Sequence, residues 1–203
     1  MLTSRYKEAF NRWIEPLAGA LARAGLSPTA VTLAGVLLGS LVCLWFVRSR
    51  AVLPFCAAIT LAGCLDGLDG ALARASGRVT KFGGYLDAVC DRYFEAVVAV
   101  SVAIVTGYWV LISAVLVGSL LVSYTKARAA MEVPVSNLEW PDLMERVERS
   151  AVFVAGLAAS ALVPWRPLNH DLFWWTLLAL SILTHTTVGQ RVLRAKRLIV
   201  QRG

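Results

Sequence analysis

The chain has 203 residues, of which 58% are hydrophobic and 16% are charged, and its formal net charge is +7 at pH 7. This composition is too apolar and too poor in charge for an ordinary soluble domain, and it predicts an all-α integral membrane protein. The composition also argues against a nucleic-acid-binding protein, because no soluble basic face is available to carry the positive charge.

The N-terminal segment, residues 1–25, predicts an amphipathic helix beside the membrane. Charged residues such as Arg12 and Glu15 alternate there with Trp13 and Leu17 at helical spacing. This pattern does not resemble a cleavable signal peptide. We expect the helix to lie at the membrane interface with its apolar face among the lipid headgroups; a solvated helix packed on the protein is the alternative.

Six apolar windows follow, each close to the roughly 20 residues that span a bilayer once their flanks are included. They cover residues 31–47, 51–65, 88–105, 110–124, 151–163 and 172–188. The simplest architecture is one bundle of six transmembrane helices over residues 28–193, within a single membrane domain that comprises residues 1–203.

The basic residues are distributed unevenly around these windows. With six spans and an internal N-terminus, Arg48, Arg50 and Arg166 fall outside, and the other basic residues fall at the inner ends, loops and tails. The positive-inside rule then predicts a multi-pass protein of the cell (inner) membrane, with both termini on the cytoplasmic side. The inner basic surface also suits anionic membrane lipids.

Four carboxylates interrupt the second and third windows at helical spacing. Asp66 and Asp69 are three residues apart, and Asp87 and Asp91 are four apart, so each pair shares one helix face. Charged groups at membrane depth are costly unless they pair, bind a metal or line a wet cavity. Oxygen ligands without His or Cys favour Mg²⁺ or Mn²⁺, and a metal would also relieve the repulsion between the acids. An intramembrane cation transporter is the competing hypothesis.

Small residues and one arginine accompany the acids. Gly70, Ala73 and Gly83 leave room for a flat ligand against the backbone, although close helix packing is an alternative role. The guanidinium group of Arg74 can bind a phosphate through two parallel hydrogen bonds, although Arg74 could also serve only as a positive charge at the inner membrane surface.

Together these residues form a pattern that resembles the signature of the CDP-alcohol phosphotransferase family: Asp66-x2-Asp69-Gly70-x2-Ala73-Arg74-x8-Gly83-x3-Asp87-x3-Asp91. The resemblance implies a homodimeric six-helix transferase of phospholipid biosynthesis, which displaces CMP from a CDP-linked lipid such as CDP-diacylglycerol. The four aspartates would hold a two-metal site for Mg²⁺ or Mn²⁺. The resemblance further implies that Asp91 is the catalytic base and that CDP is bound by Asp69, Gly70, Ala73, Arg74 and Gly83.

A set of cations elsewhere in the chain bears on the acceptor alcohol. Residues 123–129 and 145–149 resemble segments of the bacterial phosphatidylinositol phosphate synthases of this family, whose acceptor is inositol phosphate. On that match, the residues that would bind the phosphate of a phosphorylated polyol are Lys126, Arg146, Arg149 and Arg191. Inner-surface charge is the alternative role for them, and glycerol 3-phosphate is the alternative acceptor.

Overall fold

The structure, a computed structural model, describes residues 14–65, 67–133 and 146–202, and all regular secondary structure in these ranges is helical. This confirms the all-α expectation. The helices in chain order are α1 (14–23), α2 (Pro28–Ser49), α3 (Val52–Leu65), α4 (Leu68–Ala75), α5 (Lys81–Thr106), α6 (Trp109–Glu132), α7 (Arg146–Leu162), a short 3₁₀ turn (Pro167–Asn169) and α8 (Leu172–Arg202).

In the described part of the chain, four helical stretches are long and apolar enough to cross a membrane, judged by length and composition. They are Pro28–Ser49, Val52–Ala75, Trp109–Glu132 and Leu172–Gln201. The second combines α3 and α4. The helix α5 is 26 residues long but carries several charges in its first half, and α7 has 17 residues. The coarse prediction of a helical membrane protein therefore holds.

The described residues fall into two compact units, the first of which comprises the chain up to Ser49 together with Ala57–Val98. In this unit Ile14 and Ala18 of α1 pack against Leu68 and Ala71 of α4 in a small buried cluster. Part of the apolar face of α1 is thus covered by protein, while Leu17 remains 44% exposed. The position of α1 at the membrane interface stays a prediction.

The second unit comprises Arg50–Cys56 and the chain from Ala99 onwards, and in it α8 packs against both α6 and α7. Two glycines make these contacts possible. A Cβ atom on Gly118 of α6 would overlap the side chain of Thr184, and one on Gly156 of α7 would overlap that of Thr176. The helices therefore interlock through positions where only hydrogen fits.

One end of the second unit is tied together by Tyr108 and Asp171, which precede α6 and α8. The Tyr108 hydroxyl donates to Asp171 Oδ2 at 2.9 Å, and the backbone N–H of Trp174 donates to Asp171 Oδ1 at 2.9 Å. Burial, the hydrogen bond to Asp171 and its negative charge raise the pKa of Tyr108, while Arg166 opposes them. Asp171 thus caps α8 and holds the α5–α6 turn against it.

Candidate functional site

The first candidate region, which we call the acidic region, contains Asp69 on α4 and Asp87 and Asp91 on α5. Asp69 lies in the first turn of α4, where the helix dipole favours a negative charge, and it is buried. Its Oδ2 accepts a hydrogen bond from the hydroxyl of Thr32 on α2, and its Oδ1 accepts one from Gly70 N at 2.6 Å. Both carboxylate oxygens are therefore held in place.

Asp87 and Asp91 are partly buried on α5, one turn apart. Together with Asp69 they act electrostatically on the thiol of Cys90, so acids from two helices lie in one region of the first unit. Arg92 lies 3.9 Å from Asp91 and 2.9 Å from Glu95. This positive charge offsets part of the repulsion among the carboxylates.

The donor chemistry of the acidic region fits a hard divalent cation, since Asp69, Asp87 and Asp91 supply carboxylate oxygens of the kind that Mg²⁺ and Mn²⁺ prefer. Within residues 14–65, 67–133 and 146–202, no three His, Cys, Asp or Glu side chains are already arranged as a metal site. Asp66, the fourth predicted ligand, lies outside the described residues. The metal set Asp66, Asp69, Asp87 and Asp91 stays a prediction.

The predicted CDP-binding residues lie on the same two helices. A Cβ on Gly70 would be 3.6 Å from Arg74 Nη1, so the guanidinium of Arg74 reaches back along α4 toward Gly70. Ala73 is half-buried on α4, and Gly83 lies in the first turn of α5. Gly83 N donates to the hydroxyl of Thr80 at 2.9 Å, which caps that helix. Their role in binding CDP also stays a prediction.

The second candidate region is a cavity of about 260 Å³ within the second unit, which we call the basic cavity. Its lining contains all four cations predicted to bind the acceptor phosphate, and these come from three different helices. The lining residues are Val122, Ser123 and Lys126 of α6, Arg146 and Arg149 of α7, and Arg191 of α8. Arg128 instead pairs with Glu132 along the exposed side of α6.

Two of the arginines in the basic cavity are buried and held by neutral oxygens. Arg149 is 6% exposed and its Nε donates to the Ser119 hydroxyl at 3.1 Å. Arg191 is 5% exposed and its Nη1 donates to the backbone carbonyl of Val122. These bonds orient the guanidinium groups, and oriented guanidinium groups bind phosphate well.

Sequence reasoning missed Ser119, Val122 and Ser123. A signal was present, because these residues lie seven, four and three positions before Lys126 and therefore on the same face of a helix. Only packing shows which neighbouring side chains that face meets.

The model of the CDP-alcohol phosphatidyltransferase family matches residues 26–187. The chain belongs to this family. The predicted family is thereby confirmed, and the cation-transporter hypothesis is left without support.

Curated relatives of this phosphatidyltransferase match over nearly their full length. The archaetidylinositol phosphate synthase of Pyrococcus horikoshii is 32% identical over 97% of both chains. The phosphatidylinositol phosphate synthase of Mycobacteroides abscessus is 35% identical over 92% of this chain and 84% of its own.

Solved structures of the Mycobacterium tuberculosis phosphatidylinositol phosphate synthase share the fold. The complex with manganese and citrate matches with a TM-score of 0.78 at 28% identity, covering 90% of this chain and 88% of the other. The complex with CDP-DAG also has a TM-score of 0.78, at 29% identity, covering 91% and 94%. The expected resemblance to the phosphatidylinositol phosphate synthases is therefore confirmed.

Proposed function

We propose that this enzyme transfers a phosphatidyl group from CDP-diacylglycerol to a hydroxyl of inositol phosphate and releases CMP, as a step of phospholipid biosynthesis. The observation that carries the proposal is the basic cavity, where four cations from three helices line one space. A phosphate monoester on the acceptor matches that charge. Family membership and the names of the relatives support the same reaction.

In this proposal the acidic region activates the reacting groups. Asp66, Asp69, Asp87 and Asp91 hold Mg²⁺ or Mn²⁺, which when bound neutralises the pyrophosphate of the lipid donor and stabilises the leaving oxygen of CMP. Asp91 takes the proton from the attacking hydroxyl as general base. The manganese complex of the M. tuberculosis enzyme supports the choice of metal.

The CDP moiety is held in the same region. Arg74 donates to a phosphate of CDP, and Asp69 helps to fix the nucleotide in place. Gly70, Ala73 and Gly83 leave room for the ligand to approach the backbone. The support is the guanidinium of Arg74 beside Gly70, together with the CDP-DAG complex of the M. tuberculosis enzyme.

The basic cavity selects the acceptor. Lys126, Arg146, Arg149 and Arg191 bind its phosphate, and this anchoring orients the attacking hydroxyl. The two relatives are named archaetidylinositol phosphate synthase and phosphatidylinositol phosphate synthase, so their names share the inositol phosphate part and differ in the lipid part. The acceptor is therefore better supported than the lipid tails of the donor.

We also propose the arrangement in the membrane. The helices α5 and α7 complete a bundle of six spans, since 26 residues of α5 extend about 39 Å at 1.5 Å per residue. Both termini and the active site face the cytoplasm, in accordance with the excess of inner basic residues. The enzyme acts as a homodimer with α1 at the membrane interface.

The test is CMP release by purified protein in mixed micelles that contain CDP-diacylglycerol. The acceptor panel comprises inositol phosphate, inositol, glycerol 3-phosphate and serine, each with Mn²⁺, with Mg²⁺ and with a chelator. We expect metal-dependent release with inositol phosphate. Faster turnover of free inositol would reject the assignment of the basic cavity as a phosphate site. A preference for glycerol 3-phosphate would identify that compound, and not inositol phosphate, as the acceptor substrate. Parallel assays with a CDP-linked ether lipid measure the preference for the lipid donor.

A further inference from the structure

Ser119 lies on α6 one turn before Ser123, and its side chain is almost completely buried at 2% exposure. Its hydroxyl accepts a hydrogen bond from Nε of Arg149, which belongs to α7. A buried serine in a membrane helix commonly bonds to the backbone of its own helix. Here the hydroxyl also contacts the side chain of a neighbouring helix.

The atom through which Arg149 bonds to Ser119 determines how the rest of its guanidinium group is oriented. A guanidinium is planar and carries five N–H donors in a fixed fork. A hydrogen bond to Nε fixes the plane of the fork, because Nε and both Nη atoms lie in that plane. Arg149 lines the basic cavity, so the orientation of this plane sets how those Nη donors meet a ligand there.

The neutrality of the Ser119 hydroxyl matters as much as its position. A carboxylate at this place would compensate the charge of Arg149 and compete with a bound phosphate. The hydroxyl orients the cation and brings no negative charge of its own. The carbonyl of Val122 provides a comparable neutral acceptor for Arg191, from one turn further along the same helix face.

We propose that Ser119 is a positioning residue, which sets the guanidinium plane of Arg149 for the phosphate of the acceptor. This inference rests on the proposed function, because it takes the phosphorylated acceptor as the occupant of the basic cavity. Ser119 acts through Arg149 and has no role in binding CDP or in moving a proton.

The test compares three substitutions of Ser119. Ser119→Ala removes the hydrogen-bond acceptor of Arg149 and Ser119→Cys weakens it, both with a small change in volume, whereas Ser119→Thr keeps a hydroxyl. We expect Ala and Cys to raise the KM for inositol phosphate about tenfold, with kcat and the KM for CDP-diacylglycerol within about twofold of wild type. Thr retains a KM closer to wild type. The matched control is Ser101→Ala, which removes another buried serine, 4% exposed, on α5.

A double-mutant cycle separates positioning from packing. After Arg149→Ala has removed the guanidinium, Ser119→Ala should cause no further rise in the acceptor KM. Additive effects would overturn the proposal, and so would an unchanged KM in Ser119→Ala. A fall in kcat and in thermal stability with an unchanged acceptor KM would assign Ser119 to packing alone. If Ser119→Ala does not fold, Ser119→Cys carries the same comparison.

A binding measurement distinguishes failure of this inference from failure of the proposed function. Thermal stabilisation by inositol phosphate and by inorganic phosphate reports occupancy of the basic cavity without turnover. If wild type binds these probes about tenfold more tightly than Ser119→Ala but releases no CMP, the reaction is wrong and the role of Ser119 stands. If wild type releases CMP and both proteins bind equally, Ser119 has no positioning role.

Discussion

The acidic region on α4 and α5 and the basic cavity on α6, α7 and α8 both gather charges of one sign, but they hold them differently. In the acidic region Asp91 lies near the positive charge of Arg92, and Asp69 is held by Thr32 and a backbone N–H. In the basic cavity, Arg149 donates to the hydroxyl of Ser119 and Arg191 donates to the backbone carbonyl of Val122, and both of these oxygens are neutral.

From this difference we expect the acidic region to determine turnover and the basic cavity to determine binding of the acceptor substrate. Carboxylates that lie close together gain from a metal that supports the reaction, so a change there should lower turnover. Buried, oriented cations gain from an anionic ligand, so a change there should weaken acceptor binding. The following substitutions test whether kcat and the acceptor KM separate in this way.

The largest effect is expected in the acidic region from Asp91→Asn. The amide has nearly the same volume but neither accepts the hydroxyl proton nor supplies a charged ligand, so kcat should fall about 10³-fold or more. CMP release at saturating substrates measures it. Asp171→Asn is the control, since that carboxylate caps α8 and should affect stability rather than turnover. Metal-dependent turnover that survives in Asp91→Asn would remove the assignment of this residue as the base.

In the basic cavity, Arg191→Ala should raise the KM for inositol phosphate about 100-fold with a much smaller change in kcat. The residue is 5% exposed and loses both its charge and its bond to Val122. Initial rates over a range of acceptor concentrations give both constants. Arg128→Ala, which removes a cation paired with Glu132 outside the cavity, should leave KM unchanged. Equal effects of the two substitutions would indicate that general surface charge, and not the basic cavity, determines the KM for inositol phosphate.

A smaller effect is expected from Thr32→Val, which removes a hydroxyl at almost constant volume. Asp69 then loses the hydrogen bond to Oδ2, and groups that orient a metal ligand typically contribute about 10- to 100-fold in metal affinity. The Mn²⁺ concentration for half-maximal CMP release should rise about tenfold, and the acceptor KM should not change. Thr186→Val, which affects an exposed hydroxyl bonded within α8, is the control. A raised acceptor KM with normal metal dependence would contradict this prediction.

The smallest effect concerns Tyr108→Phe, outside both regions. Loss of the bond to Asp171 should cost about 1 kcal/mol and lower Tm by about 2–4 °C, with unchanged kinetics. Burial raises the pKa of Tyr108 in the folded protein. The contribution of Tyr108 to the free energy of unfolding is therefore complete below about pH 10 and is lost as pH rises through the folded-state pKa. The Tm difference between variant and wild type should therefore shrink at high pH. A constant difference across that range would mean that ionisation of Tyr108 does not matter for stability.

The acids could be predicted from the sequence because their spacing is local. Asp87 and Asp91 share a face of α5 whatever surrounds that helix. The bond between Thr32 and Asp69 could not be predicted, since it joins residues 37 positions apart and depends on how α2 packs on α4.

The extent of the helices shows a related limit. The apolar window 88–105 covers only part of α5, which begins at Lys81, and the window 151–163 omits the first turn of α7 at Arg146. Hydropathy marks the apolar part of a helix, whereas backbone hydrogen bonds continue through charged turns. The omitted turn of α7 carries Arg146 and Arg149, so resemblance and not hydropathy identified these cavity residues.

The close approach of α6 and α8 at Gly118 has a consequence for the surrounding lipid. A helix responds to a thinner or thicker bilayer by changing its tilt, at a modest cost per ångström. Because Thr184 fills the space beside Gly118, sliding of α6 past α8 would disturb this packing, and we expect the two helices to tilt as a pair. We therefore expect a change in membrane thickness to alter the distance between Val122 and Arg191 little.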